Sequence, residues 1–205
     1  MLTIYGVHRS RASRNIWLAH ELGVPFKLVP VMQLYRLKEP IPADLVHTRS
    51  PSFLTVNPNG HIPTMDDDGL VLNESLAINL YLAKKHGGPL APTNLAEDGQ
   101  LGMWSLWAAN EVEPHALSII QNGPSAERIA ALRAPFTVLN DAVAGGFLVG
   151  GRFTVADINV AEVVRYAQGA AELVEAAPKV KTWLAACQSR PAFRKMWEAR
   201  EKEPA

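Results

Sequence analysis

Apolar and polar positions change their rhythm near residue 87. Before it, Leu2 to Val7 and Phe26 to Val31 alternate as strands do, and between them Ala12, Ile16, Ala19 and Leu22 share one face of a helix. Two strands joined through one helix form a βαβ unit. Farther on, Ile62 to Asp66 and Leu70 to Asn73 flank Asp67-Asp68-Gly69, which reads as a tight hairpin, followed by a helix from Ser75 to about Lys85. The predicted order is β-α-β, a loop-rich stretch, then β-β-α.

Gly87-Gly88-Pro89-Leu90-Ala91-Pro92 cannot continue that helix, because glycine and proline both break it, and a linker is expected over 87–93. Everything after it reads as helix. Ile129, Leu132, Phe136, Leu139 and Val143 recur at 3, 4, 3, 4 spacing, and Leu101, Trp104, Ala108 and Val112 nearly so. Pro114 and Pro135 lie inside these patterns, where a kink or break is expected. The fold class expected is α/β plus all-α, with domains at 1–86 and 94–205.

Composition narrows the partner. Twenty basic and twenty acidic side chains in 205 residues give zero formal charge, without the basic excess that nucleic acid or an acidic membrane requires. The balance is uneven: residues 1–50 hold seven Lys and Arg against three Asp and Glu, an excess of four that suits a small anionic ligand. Cys187, the single cysteine, excludes an intramolecular disulfide and a Cys-only metal site. No apolar run is long enough for a membrane helix, and the N-terminus lacks the apolar segment of a signal peptide, so a cytoplasmic location is expected.

Three segments carry candidate chemistry. In Asn57-Pro58-Asn59-Gly60-His61-Ile62-Pro63, the proline stands where the hairpin should begin, and a cis Ile62–Pro63 bond would leave the Ile62 N–H and C=O free to pair with an extended, peptide-like ligand. The alternative is a trans proline opening an edge strand. Glu74-Ser75 opens the next helix, placing Ser75 as N-cap. The amides of that helix end suit an anion, while Glu74 can pair with a cation, together a receptor for an α-amino acid group; a plain cap with an acidic neighbour is the other reading. In Arg9-Ser10-Arg11-Ala12-Ser13-Arg14, Ser10 lies near a helix N-terminus and could donate to a bound thiolate, or else Ser10 or, more readily, Ser13 caps the helix. No Ser-His-Asp spacing accompanies either serine.

Taken in order, these motifs resemble a cytosolic glutathione S-transferase of a bacterial kind with a serine-type active site, over nearly the whole chain. A further marker is Phe153-Thr154-Val155-Ala156-Asp157-Ile158, a capping box of Thr154 with Asp157 and a staple of Phe153 to Ile158. Family members place such a box in the same buried C-terminal helix.

The resemblance implies a thioredoxin-like N-terminal domain that binds glutathione as co-substrate, with no metal, and an all-helical domain supplying most of the second-substrate pocket. Ser10 matches the catalytic hydroxyl, at the place where the bacterial beta class has a cysteine. Tyr5, on the first strand, is expected to be structural. Ile62 matches the residue whose backbone pairs with the cysteinyl part of glutathione, and Pro63 the family's cis-proline. Glu74 and Ser75 match the pair holding the γ-glutamyl group; His61 first and Arg49 second are the candidates for the glycyl carboxylate. Trp107, Asn110, Glu111 and His115 lie along the first long helix of the second half, with packing or a solvated face as their ordinary explanation.

The implied activity is conjugation of the glutathione sulfur to a hydrophobic electrophile, in a homodimer. The alternatives are a glutathione-dependent lyase, dehalogenase or isomerase, and a non-catalytic binder of glutathione or hydrophobic ligands.

Overall fold

A computed structural model describes residues 1–203. They divide into two compact units, Met1–Leu82 with the C-terminal segment from Pro191, and Ala83–Arg190.

The first unit is built on a four-stranded sheet ordered β2-β1-β3-β4, with β1 at Leu2–Tyr5, β2 at Lys27–Val29, β3 at Thr64–Asp67 and β4 at Leu70–Asn73. β1 runs parallel to β2 and antiparallel to β3, which pairs antiparallel with β4. The register sets Tyr5 beside Val29 and Thr64, and Thr64 beside Asn73. Segments that leave β1, β2 and β4, and the segment that enters β3, therefore all emerge at one end of the sheet. Asp68 and Gly69 make the two-residue hairpin turn with φ of 53° and 94°, the left-handed pair that matches strand twist.

Helix α1, Ala12–Leu22, buries Ala12, Ile16, Trp17, Leu18 and Ala19, and ends where Gly23, at φ 66°, returns its N–H to the Ala19 and His20 carbonyls. A short helix, α2, spans Pro51–Leu54, and α3 spans Ser75–His86. Val7, Val31, Phe53 and Ile62 form a buried cluster flanked by Tyr5, Met32, Val46 and Val56. Tyr5 packs here, its ring 6.3 Å from that of Phe53.

The second unit holds α4 (Leu95–Trp107), α5 (Glu113–Asn122), α6 (Ala126–Ala142), α7 (Val155–Val164), α8 (Ala171–Glu175) and α9 (Pro178–Gln188). The last helix, α10 (Pro191–Lys202), instead belongs with the first unit, so the division differs from the expected single domain over 94–205. The reason lies in α1: its fully buried Trp17 is covered edge-on by Phe193, ring centroids 5.0 Å apart.

Pro114 and Pro135 both depart from simple breaks. Before Pro114 the helix widens into a π turn over Ala108–Val112, which leaves Pro114 in the first turn of α5, where no helical N–H is needed. α6 runs on through Pro135 with Ile129, Leu132, Phe136 and Leu139 buried as the 3-4 spacing demands. Asn159 Nδ2 donates to Ser105 Oγ at 2.9 Å, tying α7 to α4.

α7 is buried along its whole length, and the capping box opens it: Thr154 accepts from the Asp157 N–H while Asp157 accepts from the Thr154 N–H at 2.9 Å. The other Asp157 oxygen takes the Leu148 N–H at 3.1 Å and the Trp183 indole N–H at 2.9 Å. Burial pushes the Asp157 carboxyl above its ordinary pKa, against the pull of these donors.

Candidate functional site

The end of the sheet defined by Tyr5, Thr64 and Asn73 carries the expected site residues, because Gly6–Ser10, His61–Pro63 and Glu74–Ser75 are the segments next to those strand ends. Gly6 is the point of closest approach. A Cβ there would stand 2.7 Å from Ala12 Cβ, 3.7 Å from Ser10 Oγ and 3.8 Å from Ile62 Cβ, so Ser10 and Ile62 flank the same spot and only glycine fits between the strand and the start of α1.

Ser10 is buried immediately ahead of α1. Its hydroxyl donates to the Val7 carbonyl at 2.7 Å and accepts the Ala12 N–H at 3.1 Å. Ser13, the residue expected to cap more readily, is a buried member of the helix instead; the serine oxygen that meets a first-turn amide is Ser10's. A hydroxyl in this position offers a proton at the positive end of a helix dipole, an arrangement that favours a nearby anion.

The Ile62–Pro63 bond is cis. Neither the N–H nor the C=O of Ile62 takes part in a hydrogen bond among the described residues. Asn57 holds the preceding turn: its Nδ2 donates to the His61 carbonyl at 2.8 Å and to Thr64 Oγ1 at 2.9 Å, and its Oδ1 accepts the Asn59 N–H at 3.0 Å. This buried asparagine presents the Ile62 edge, a role visible in the sequence only as the first letter of the Asn-Pro-Asn-Gly turn.

Arg49, twelve residues before His61 in the chain, lies against Gly60, the residue next to His61. The segment 46–48 is laced to Met32 through Met32 N–H to the Val46 carbonyl at 3.0 Å and Thr48 N–H to the Met32 carbonyl at 2.8 Å. That lacing delivers the Arg49 guanidinium to Gly60, where an added Cβ would lie 2.7 Å from Arg49 Nη1 and 2.7 Å from the Thr48 carbonyl oxygen. Arg49 and His61 are both exposed.

Glu74 and Ser75 differ from expectation in one respect. Ser75 is the first helical residue, not the cap: the first helical bond runs from the Ile78 N–H to the Glu74 carbonyl at 2.9 Å. Glu74 adopts φ 66°, a left-handed conformation that costs a non-glycine residue about 1–2 kcal/mol and leaves its carboxylate exposed. Freed from capping, the Ser75 hydroxyl accepts from Arg14 Nη1 at 3.0 Å, and Asn15 Nδ2 reaches the Ser75 carbonyl at 2.8 Å and Asn79 Oδ1 at 2.7 Å. Arg14 and Asn15 thus bind the start of α1 to the start of α3. Sequence reasoning missed both, since nothing local distinguishes a buried Arg-Asn pair from two polar residues on a helix.

Trp107 packs edge-on against Trp104, centroids 5.1 Å apart, while Asn110 and Glu111 lie exposed in the π turn and His115 is exposed on α5. Among the described residues no cluster of His, Cys, Asp and Glu is placed to hold a metal ion, and no helix is long and apolar enough to cross a membrane.

Residues 9–85 match the family model for the glutathione S-transferase N-terminal domain, and residues 124–186 that for the glutathione S-transferase C-terminal domain. The chain is 29% identical to glutathione S-transferase F13 of Arabidopsis thaliana over 95% of its own length and 94% of that protein's. It is 30% identical to glutathione S-transferase 3 of Zea mays, covering 95% and 92%. Its fold superposes on the crystal structure of glutathione transferase F7 from Populus trichocarpa with a TM-score of 0.81 at 27% identity, covering 97% of this chain and 99% of that one.

Proposed function

The chain belongs to the glutathione S-transferase family, and we propose that it conjugates glutathione to a hydrophobic electrophile with Ser10 as the group that stabilises the thiolate. The observation that carries this reading is the Ser10 hydroxyl, buried at the start of α1 and flanking the same point as the unpaired backbone of Ile62.

The chemistry follows from exchange of one acceptor for another. At rest the Ser10 proton serves the neutral Val7 carbonyl. A sulfur anion is the better acceptor, because a hydrogen bond to a charged group contributes about 1.5–3 kcal/mol against about 1 kcal/mol for a neutral pair. Rotation about the Ser10 side chain is therefore downhill once thiolate is present, and the Ala12 N–H steadies the oxygen while its proton turns. With the helix dipole adding up to about 1 kcal/mol, a depression of the thiol pKa by about two units, roughly 3 kcal/mol, is within reach.

In this reading the Ile62 N–H and C=O pair with the cysteinyl part of glutathione. Glu74 takes the γ-glutamyl ammonium, with Ser75 at the positive end of α3 beside its carboxylate, and His61 and Arg49 together face the glycyl carboxylate. The strained backbone of Glu74 supports its assignment, since a left-handed non-glycine residue persists where the surroundings impose it, and such residues cluster at ligand sites. The names of the relatives favour conjugation over lyase, dehalogenase or isomerase chemistry.

The same reading has the protein act in the cytoplasm as a homodimer. Leu95, Met103 and Leu106 of α4, each more than half exposed, supply apolar surface for a partner copy. A stable monomer of 22.4 kDa in sedimentation would contradict the dimer.

Ser10→Ala tests the catalytic assignment. Loss of one charge-assisted bond is expected to raise the pH at which bound glutathione ionises by about one to two units and to lower turnover, with the KM for glutathione little changed. An unchanged pH–rate curve would sink it.

A further inference from the structure

All four peptide polar groups of the two residues before Ser10 are held by side chains from other parts of the first unit. The His8 N–H donates to Glu203 Oε1 and the Arg9 N–H to Glu203 Oε2, each at 2.8 Å. His8 Nδ1 meets Glu203 Oε1 at 2.8 Å as well. The His8 carbonyl accepts from Arg200 Nη1 and the Arg9 carbonyl from Arg36 Nη1, the latter at 2.8 Å, while Arg9 Nε reaches the Arg200 carbonyl at 3.2 Å. Loop backbone on a protein surface ordinarily gives its polar groups to water. Here a carboxylate and two guanidiniums replace it, two of the three from the C-terminal helix and the residue after it.

The geometry of Ser10 depends on these two residues. Val7, whose carbonyl receives both the Ser10 N–H at 3.1 Å and the Ser10 hydroxyl at 2.7 Å, lies on one side of them and Ser10 on the other. The dihedral angles of His8 and Arg9 therefore set where Ser10 Oγ points, and pinning their peptide groups pins those angles. Burial alone would raise the Glu203 carboxyl, but the three donors outweigh it and hold its pKa below the ordinary range, so the grip is that of an anion at neutral pH.

We propose that Glu203 is a positioning residue for Ser10: through the His8 and Arg9 amides it fixes the turn from which the Ser10 hydroxyl reaches the glutathione sulfur. This rests on the reading of Ser10 given above. A displacement of about 1 Å in a reacting group costs on the order of a hundredfold in rate, so a loosened turn has consequences without any change in the groups that bind glutathione.

The test uses the full chain with glutathione and 1-chloro-2,4-dinitrobenzene as probe electrophile. Glu203→Ala is expected to lower kcat roughly tenfold or more, to shift the ionisation of bound glutathione, read by ultraviolet difference absorption, to higher pH, and to alter the KM for glutathione less than about twofold. Glu203→Gln, which keeps one acceptor oxygen, is expected to recover part of the loss. Glu201→Ala, whose carboxylate meets the half-buried Trp197 indole N–H at 2.9 Å, is expected to behave as the parent protein. Because Glu203 acts through Ser10, removing it from a Ser10→Ala background is expected to cost nothing further. A Glu203→Ala protein that melts earlier but keeps the parent's kcat and ionisation pH, or a double variant with fully additive losses, overturns the proposal while leaving the Ser10 assignment intact. An unshifted ionisation pH in Ser10→Ala overturns both. Should Glu203→Ala not fold, the same comparisons made with Glu203→Gln decide.

Discussion

Replacing Asp157 by alanine strips the start of α7 of its acceptor. Three N–H donors, from Thr154, Leu148 and the Trp183 indole, end on this one carboxylate at 2.9, 3.1 and 2.9 Å, the first and last of them buried. A buried donor left without an acceptor costs about 1–3 kcal/mol. Water relieves some of that loss at the Leu148 side, which is only partly buried, so the expected destabilisation is about 3–6 kcal/mol. Set against the roughly 5–15 kcal/mol that holds a typical protein folded, this is a large fraction. For a chain of this size it corresponds to a fall in melting temperature of about 2–4 °C per kcal/mol. Asp157→Asn keeps an oxygen for Leu148 and Trp183 but sets an amide N–H against the Thr154 N–H, so it is expected to lose less. Thermal unfolding of the three proteins, each at pH 7, is the assay. An alanine variant within about 1 kcal/mol of the parent would refute the idea that this network secures the buried helix.

Two further outcomes are expected. Gly60→Ala adds a Cβ at 2.7 Å from the Thr48 carbonyl oxygen in a residue at φ 61°, so it is expected to displace the Arg49 segment and to destabilise the protein by at least about 1–2 kcal/mol, with weaker retention on immobilised glutathione; full retention and unchanged melting would contradict the packing described. Two hydrogen bonds from Arg152, at 3.0 and 2.7 Å, hold the Glu97 carboxyl at a pKa of about 2. A lowered folded-state pKa contributes stability that is present above the ordinary value of 4.5 and lost as pH falls through about 2, so Glu97→Gln is expected to flatten the acid limb of the stability curve in that window, as measured by denaturant unfolding at stepped pH.

Much of the fold was legible because its signals are local. The left-handed Asp68-Gly69 pair, the proline at 63 and the 3-4 spacing of α6 each express a preference decided within a few residues, and the structure carries them at those positions. The capping box was legible for the same reason: its two partners stand three residues apart. Ser75 was misplaced as a cap by the same local logic, because its hydroxyl is claimed by Arg14, 61 residues away. Of the kink or break expected at Pro135, the break does not occur: α6 is continuous through it, with apolar positions on either side buried along the same face.

The chain alone determined which elements form, that its motifs are spaced as in a glutathione S-transferase, and that positive charge gathers in its first quarter, because periodicity, turn chemistry and charge are properties of neighbouring residues. Tertiary structure decided that α10 packs on α1, that the Arg49 guanidinium lies against Gly60, and that Glu203 grips the amides ahead of Ser10 from 194 and 195 residues away. Such pairings depend on which surfaces the folded backbone brings into contact, and a carboxylate near the end of the chain has no local preference that announces the amides it will meet.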